Sequence, residues 1–310
     1  MKTRGSKIKT ASWVGIYGNA ILSIAKISVG IIAGSLAVVA DGIDSAIDIL
    51  TSIITLIAAY FITKPPDIKH PYGYQRADTI ATKALSFIIF FAGAQLAIST
   101  VMNLIEGEIR EIPSVIAIYV TLVSIVGKLL LAVYQFKMGK ITESQMLIAN
   151  GKNMQNDVII SISVLLGLTF TFVFKLPVLD TITALVVSIW IMYVAFKIFM
   201  QTNIELMDGI ENTSIYKDVF KAVEQVKNAH NPHKVRIRKL SNNYIIELDI
   251  EIDGSKNLNE AHKIGHEVEK NIRKNIKNVY EVLIHTEPRG NIDKDEKFGI
   301  SNKNIDNLNS

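Results

Sequence analysis

Residues 35–62 form one long apolar run that carries aspartates inside it. A helix that crosses a bilayer needs roughly 20 apolar residues, so this run is long enough to span one. Asp44 and Asp48 lie in its first half, and no further charge follows before residue 62. A carboxylate at such a depth is costly unless it faces a polar cavity or a cation. The pair therefore constrains both the fold, a membrane helix, and the chemistry around it.

A second apolar segment repeats this spacing with Asn153 and Asp157. Residues four apart lie on one helix face, with about 5–6 Å between their Cβ atoms. If the two helices face each other, three carboxylates and one amide oxygen surround a single point. The sequence therefore predicts a divalent-cation site inside a membrane, formed by Asp44, Asp48, Asn153 and Asp157.

Charge is distributed unevenly along the 310 residues. Apolar runs dominate up to about residue 208, and Lys, Glu, Asp and Asn dominate beyond it, which indicates a membrane domain followed by a soluble domain. The chain has no cysteine, so any metal must be held by oxygen or imidazole. The net charge of +4 is weak evidence for nucleic-acid binding, and we expect no nucleic-acid partner.

Length and hydropathy predict a six-helix transmembrane bundle. The spans are approximately residues 12–33, 36–62, 79–104, 112–136, 143–174 and 178–200. The N-terminus and alternate short loops are rich in Lys and Arg, and the positive-inside rule places them in the cytoplasm with the C-terminal domain. The first run has full span length without a cleavage site, so we interpret it as a retained helix rather than a signal peptide.

The residues after 208 predict a small α+β domain. Helical periodicity at 215–227 and 258–276 and strand patterns at 234–240, 244–253 and 279–285 give the order αββαβ, typical of a ferredoxin-like sheet. Residues 290–310 are rich in Asn, Asp and Lys and predict a disordered tail. The expected parts are a basic cytoplasmic N-terminus (1–11), a transport domain (12–208), a metal-binding and dimerisation domain (209–289) and the tail (290–310).

Four features occur together in this chain. They are the two intramembrane pairs, the cytoplasmic loop Asp67-Ile-Lys-His-Pro-Tyr-Gly-Tyr-Gln-Arg-Ala-Asp78 and a closing αββαβ domain with histidines and acids. In this combination the chain resembles the cation diffusion facilitator family over roughly residues 12–288. The resemblance implies a homodimeric divalent-metal efflux transporter, not an enzyme, that exchanges metal for protons by alternating access.

The resemblance also implies roles for residues outside the bilayer. Asp67 and His70 correspond to a loop site, which we expect to be weak or absent because Tyr74 stands where the family often has a further His. Arg76 and Asp208 correspond to a charge pair that holds the membrane and cytoplasmic parts of the dimer together. The cytoplasmic site corresponds to five residues, His233, Asp249, His262, His285 and Glu287.

Asn153 bears on the choice of metal. Zinc-transporting members of the family that this chain resembles have His at this position, and zinc favours imidazole or thiolate in a tetrahedron. An amide there leaves an all-oxygen ligand set, which suits Mn²⁺ and Mg²⁺. We therefore predict Mn²⁺ as the transported ion. Zn²⁺, Fe²⁺ or Co²⁺ carried by the same mechanism is the alternative, since affinity order favours Zn²⁺ over Mn²⁺ at most sites.

The carboxylates also indicate how transport is driven. Ligands must be deprotonated to hold a metal, so metal binding releases protons and proton entry expels metal. This couples export to the inward proton gradient. The chain has no Gly-x4-Gly-Lys-Ser/Thr run of the kind that binds nucleotides, so we expect no cofactor and no ATP. We expect a multi-pass protein of the plasma membrane.

Other interpretations of these residues remain open. Intramembrane aspartates can pair structurally with lysine, and four lysines are available: Lys26, Lys83, Lys128 and Lys152. We expect a supporting role for Asp41 and a structural one for Asp180, and an Asn153 that forms only an interhelical hydrogen bond is a further alternative. A membrane-anchored metal sensor is a different class of function, although an anchor has no use for three charges at mid-bilayer. A membrane metallo-enzyme is disfavoured because no His-Glu-x2-His run is present.

Overall fold

The structure is a computed structural model that describes residues 4–62, 64–105, 111–142, 144–240, 243–290 and 299–301. The chain divides into two compact units. The first comprises Met1–Tyr60 and Ala81–Phe199, and the second comprises Phe61–Ile80 and Met200–Ser310.

Six long helices make up the membrane part of the chain. They are α1 (Arg4–Ala33), α2 (Leu36–Ile62), α3 (Ala77–Ile105), α4 (Ile116–Thr142), α5 (Gln145–Phe174) and α6 (Val178–Leu206). Within the described residues, five of them contain a stretch long and apolar enough to cross a membrane. The sixth helix, α2, has 27 residues and carries three aspartates in its first half.

The fourth helix departs from the predicted span at 112–136. It begins at Ile116 and ends at Thr142. Pro113 explains why Ile112 lies outside the helix, because a proline disfavours helical geometry in the residue before it. The helix then continues past residue 136 through Lys137 and Lys140, since Lys is a good helix former.

The turn between α1 and α2 is fixed by a residue from α6. Gly34 has a φ of 70°, which a glycine adopts without steric cost. Asp180 then caps α2, because its carboxylate accepts hydrogen bonds from the Ser35 hydroxyl at 2.6 Å and the Leu36 amide at 2.7 Å. A helix N-terminus has unsatisfied amides and a positive partial charge, so a buried carboxylate there is stabilising. These contacts give Asp180 a structural role, as the sequence predicted.

Close contact between α4 and α5 brings their polar residues together. Gly151 of α5 lies so near α4 that a Cβ there would come within 3.2 Å of the Ala132 carbonyl oxygen. A residue as small as this glycine lets the two backbones approach, as is common between membrane helices.

The start of α5 is capped by Ser144, whose hydroxyl accepts a hydrogen bond from the Leu147 amide at 3.5 Å.

The second unit contains the predicted αββαβ domain. Its elements are α7 (Ser214–Glu224), β1 (His230–Leu240), β2 (Asn243–Ile252), α8 (Leu258–Asn275) and β3 (Val279–Pro288). The sheet order is β1-β2-β3, with β1 antiparallel and β3 parallel to β2. The predicted order of elements is therefore confirmed.

Apolar residues of both helices pack on this sheet. Val219 and Phe220 of α7 and Val268 of α8 join Ile246 and Leu248 of β2 in one buried core. A capping box between Asn257 and Glu260 fixes the start of α8.

Strand β1 begins four residues earlier than the predicted 234–240. Its register with β2 is irregular around His233, and Asn231 and Lys234 have φ angles of 42° and 48°. A bulge of this kind redirects side chains within a strand. Most of the tail predicted to be disordered lies outside the described residues. Within it, Ile300 forms an antiparallel bridge with Val235.

Candidate metal centre

The predicted pairs on α2 and α5 meet inside the first unit. The Asn153 amide nitrogen donates a hydrogen bond to Asp48 Oδ1 at 3.0 Å. Asp157, one turn further along α5, is 7% exposed, whereas Asn153 is exposed. The four-residue spacing on each helix therefore does bring side chains of both helices to one place.

A lysine of α4 lies in the same place. The Lys128 ammonium is 2.9 Å from Asp157 Oδ2 and 3.5 Å from Asp48 Oδ2. Its side chain is fully buried. Lys128 was one of the lysines available for structural pairing, and the sequence did not distinguish it from the others. The position of Lys128 inside an apolar helix was a signal that it has an acidic partner, because a charge there needs one.

Asp44 completes the group from the next turn of α2. It interacts electrostatically with Asp157 and Lys128. Among the described residues, its Oδ2 atom is buried without a hydrogen-bond partner. A buried carboxylate oxygen with a free lone pair is available to a cation. We call Asp44, Asp48, Asn153 and Asp157 the intramembrane quartet.

Asp41 belongs to a separate polar network. Its Oδ2 atom lies 2.8 Å from the Lys26 ammonium of α1, and both side chains are fully buried. Lys26 also donates to Ser45 at 3.3 Å and Ser161 at 3.0 Å, and Ser161 donates to Asp41 Oδ1 at 2.8 Å. This network joins α1, α2 and α5 beside the quartet, in keeping with the supporting role expected for Asp41.

Three of the five predicted cytoplasmic ligands form a cluster in the second unit. His233, Asp249 and Glu287 each offer one ligand atom, and these atoms lie within 4.8 Å of one another. His233 Nδ1 is 2.8 Å from the Asn231 carbonyl oxygen. A carbonyl oxygen only accepts, so Nδ1 carries the proton and Nε2, 3.6 Å from Glu287 Oε2, is the ring atom that can bind a metal.

The other two predicted ligands are placed differently. His285 Nε2 lies 3.5 Å from Glu287 Oε1, at the edge of the cluster, and its side chain is 67% exposed. His262 is exposed on α8 and is not one of the three clustered residues. Lys234 was not predicted to lie here, but its ammonium is 3.2 Å from Asp249 Oδ2 and 3.7 Å from Glu287 Oε1. No pattern in the sequence indicated this position for the Lys234 side chain, because the bulge in β1 sets the direction in which that side chain points.

The Asp67 carboxylate is engaged within its own loop. It accepts hydrogen bonds from the backbone amides of Lys69 at 2.9 Å and His70 at 2.7 Å, and from the Tyr74 hydroxyl at 2.6 Å. The His70 ring is 3.1 Å away. These bonds, the one from Tyr74 foremost, lower the pKa of Asp67 to about 2. The Tyr74 hydroxyl is thus bonded to the Asp67 carboxylate, which a metal in this loop needs as a ligand.

The Tyr74→Phe variant is expected to raise the pKa of Asp67 from about 2 toward its ordinary value of 3.8. A hydrogen bond to the charged form favours that form, so losing the hydroxyl makes Asp67 easier to protonate. A carboxyl titration followed by NMR measures the change. Tyr72→Phe is the matched control, since the Tyr72 ring lies against Arg238 instead. An unchanged Asp67 pKa in Tyr74→Phe contradicts the assignment.

The predicted charge pair is formed within the second unit. The Arg76 guanidinium contacts the Asp208 carboxylate and also donates to the Leu206 carbonyl at 3.0 Å. Asp208 has a φ of 62°, just after α6 ends. The pair therefore ties the loop before α3 to the end of α6.

Comparison with known proteins identifies the chain's relatives. Residues 12–207 match the cation efflux transmembrane domain, and residues 212–289 match the cytoplasmic dimer domain of cation efflux proteins, which implies a homodimer. The manganese efflux system protein MneS of Bacillus subtilis is 30% identical over 86% of this chain and 91% of its own length. MneP, a manganese efflux system protein of the same organism, is 27% identical over 89% and 94%.

A solved structure resembles the C-terminal region. The metal-bound C-terminal domain of the CzcD transporter from Thermotoga maritima is 40% identical, covers 26% of this chain and 93% of that domain, and has a TM-score of 0.25. The transmembrane match alone spans more than half of the chain. The chain therefore belongs to the cation diffusion facilitator family, and it is a divalent cation efflux transporter, a multi-pass membrane protein with a cytoplasmic C-terminal domain and not an enzyme.

Proposed function

We propose that this transporter exports Mn²⁺ from the cytoplasm across the plasma membrane in exchange for protons, by alternating access around the intramembrane quartet. The convergence of α2 and α5 carries the proposal. Asp48 and Asn153 are hydrogen-bonded at 3.0 Å, and Asp48 and Asp157 share one ammonium. Oxygen donors from two apolar helices thus face one small volume, where an ion can be held and released.

The donor chemistry supports manganese. The quartet offers carboxylate and amide oxygens, the ligand type that suits Mn²⁺, and no imidazole or thiolate of the kind that zinc favours. Both Bacillus subtilis relatives described above carry manganese efflux in their names. Export of Zn²⁺, Fe²⁺ or Co²⁺ by the same mechanism is the alternative, because the affinity of most sites for zinc exceeds that for manganese.

The cytoplasmic domain has its own place in the proposal. His233, Asp249 and Glu287 are the ligands with the geometry for a metal, and His262 and His285 are further candidates in the homodimer. We assign Arg76 and Asp208, which contact each other, to the charge pair of the dimer. We keep the domain limits 1–11, 12–208, 209–289 and 290–310, with the N-terminus in the cytoplasm.

Proton exchange has a direct test. The purified protein is reconstituted into vesicles that contain a metal-sensitive dye, and Mn²⁺ is added outside. Uptake is expected to be faster when the vesicle lumen is more acidic than the outside, because protons leaving the lumen drive metal in. Uptake that is indifferent to the direction of the gradient contradicts exchange, although it leaves metal transport itself standing. Competition by Zn²⁺, Fe²⁺ and Co²⁺ in the same assay ranks the metals.

A further inference from the structure

Lys128 lies inside the charged group that the proposed function uses. Its ammonium contacts Asp157 Oδ2 at 2.9 Å and Asp48 Oδ2 at 3.5 Å, and it also interacts electrostatically with Asp44. These three carboxylates come from α2 and α5, whereas Lys128 comes from α4. The side chain is fully buried, so protein groups rather than solvent balance its charge.

The neighbouring charges leave this balance unchanged. Among the described residues, Asp41 and Lys26 also interact electrostatically with the group. They pair with each other at 2.8 Å and so cancel. Asn153 is neutral. With its carboxylates ionised to hold a metal, the group has three negative charges against one positive charge, a net charge of two negative.

Net charge at this depth decides which ion is held best. An uncompensated charge in a low-dielectric environment is costly, and the energy of a charged group there depends on the sum of its charges. A divalent cation brings the group with Lys128 to neutrality. A trivalent cation leaves one positive charge in excess. Without Lys128, a divalent cation leaves one negative charge uncompensated, and a trivalent cation leaves none.

We propose that Lys128 is a specificity-determining residue of the transport site, a fixed cation that matches the charge of the quartet to a divalent ion. This inference rests on the proposed function, because it takes the quartet to be the transport site. Lys128 acts here as a permanent charge beside the ligands and not as a ligand. The oxygen donors select the kind of metal, and Lys128 selects its valence.

The test compares a divalent with a trivalent ion that also prefers oxygen ligands. Tb³⁺ luminescence and its displacement by Mn²⁺ are measured on the purified full-length protein, and the binding that Asp157→Ala removes is assigned to the quartet. In Lys128→Met, the Tb³⁺ to Mn²⁺ affinity ratio is expected to rise by roughly tenfold or more, since one positive charge a few ångströms away has gone. Lys128→Arg keeps the charge and is expected to keep the ratio.

A second substitution separates charge from mere helix packing. Lys128→Met combined with Asp48→Asn has a net charge of two negative again, and its affinity ratio is expected to return toward that of the parent. An ion pair that only holds helices together has no reason to change the ratio of trivalent to divalent affinity in either variant. Lys83→Met is the matched control, since the Lys83 ammonium lies 5.1 Å from the Phe199 ring centroid. An equal shift in that variant overturns the inference.

The inference and the proposed function fail in different ways. If Asp157→Ala removes metal binding but Lys128→Met leaves the ratio unchanged, Lys128 does not set valence. If Asp157→Ala binds and transports as the parent does, the quartet is not the transport site and both proposals fall. Where Lys128→Met does not fold, Asp48→Asn alone tests the same charge balance by removing one negative charge instead of one positive charge. Its net charge is one negative, so the ratio is expected to fall, and an unchanged ratio overturns the inference.

Discussion

The Asp157→Ala variant is expected to lose metal transport, with uptake reduced by at least about 100-fold, since changes outside the ligand shell alone often cost about 10–100-fold. Asp157 is a buried carboxylate of the quartet and contacts Lys128 at 2.9 Å. Its removal takes away an ionised oxygen donor and leaves Lys128 with its 3.5 Å contact to Asp48 and its interaction with Asp44. The measurement is Mn²⁺ uptake into dye-loaded vesicles, normalised to the amount of folded protein.

Controls make this result specific to the quartet. Asp218→Ala removes the same charge from an exposed position on α7 and is expected to transport as the parent does. Asp157→Asn retains one oxygen donor, and its Mn²⁺ uptake is expected to lie between that of Asp157→Ala and that of the parent. If Asp157→Ala transports like the parent while it remains folded, the assignment of the transport site is wrong.

The Asn153→His variant is expected to shift the preference from Mn²⁺ toward Zn²⁺. Asn153 is exposed, so an imidazole has room without displacing buried atoms. The ring brings a nitrogen donor next to Asp48, where the amide now donates at 3.0 Å. Zinc favours imidazole in a tetrahedral set, whereas manganese accepts all-oxygen ligands. We expect the ratio of Zn²⁺ to Mn²⁺ uptake to rise by about tenfold, on the order of 1.4 kcal/mol in discrimination.

Competitive uptake of Mn²⁺, Zn²⁺, Fe²⁺ and Co²⁺ measures this shift. Gln155→His is the matched control, because Gln155 is an exposed amide on the same helix two residues away and so faces another direction. That control is expected to keep the parent's preference. An unaltered rank order in Asn153→His means that Asn153 does not set selectivity.

Local spacing accounts for most of what could be predicted. Two residues four apart on a helix share a face whatever the rest of the fold does, so Asp44 and Asp48, and Asn153 and Asp157, were predictable as pairs. The αββαβ order followed from periodicity and turn residues in the same way. Element ends were less secure, as α4 shows with its later start after Pro113.

Contacts between distant segments could not be derived in this way. The sequence offered Lys128 only as one lysine among four, yet the close approach of α4 and α5 at Gly151 puts its ammonium between Asp48 and Asp157. Likewise, the bulge in β1 turns Lys234 toward Asp249, and His262 lies outside the cluster it was expected to join.

The amino-acid sequence by itself determined that this chain has long membrane helices with acidic and amide residues paired on two faces, and an αββαβ domain after them. The tertiary structure alone decided which lysine meets those carboxylates and which histidine and acids gather in the cytoplasmic domain. The reason is physical. Helical and strand periodicity depends on residues a few positions apart, whereas charge pairing depends on which helices and strands pack together, as α4 and α2 do where Lys128 meets Asp48, 80 residues away.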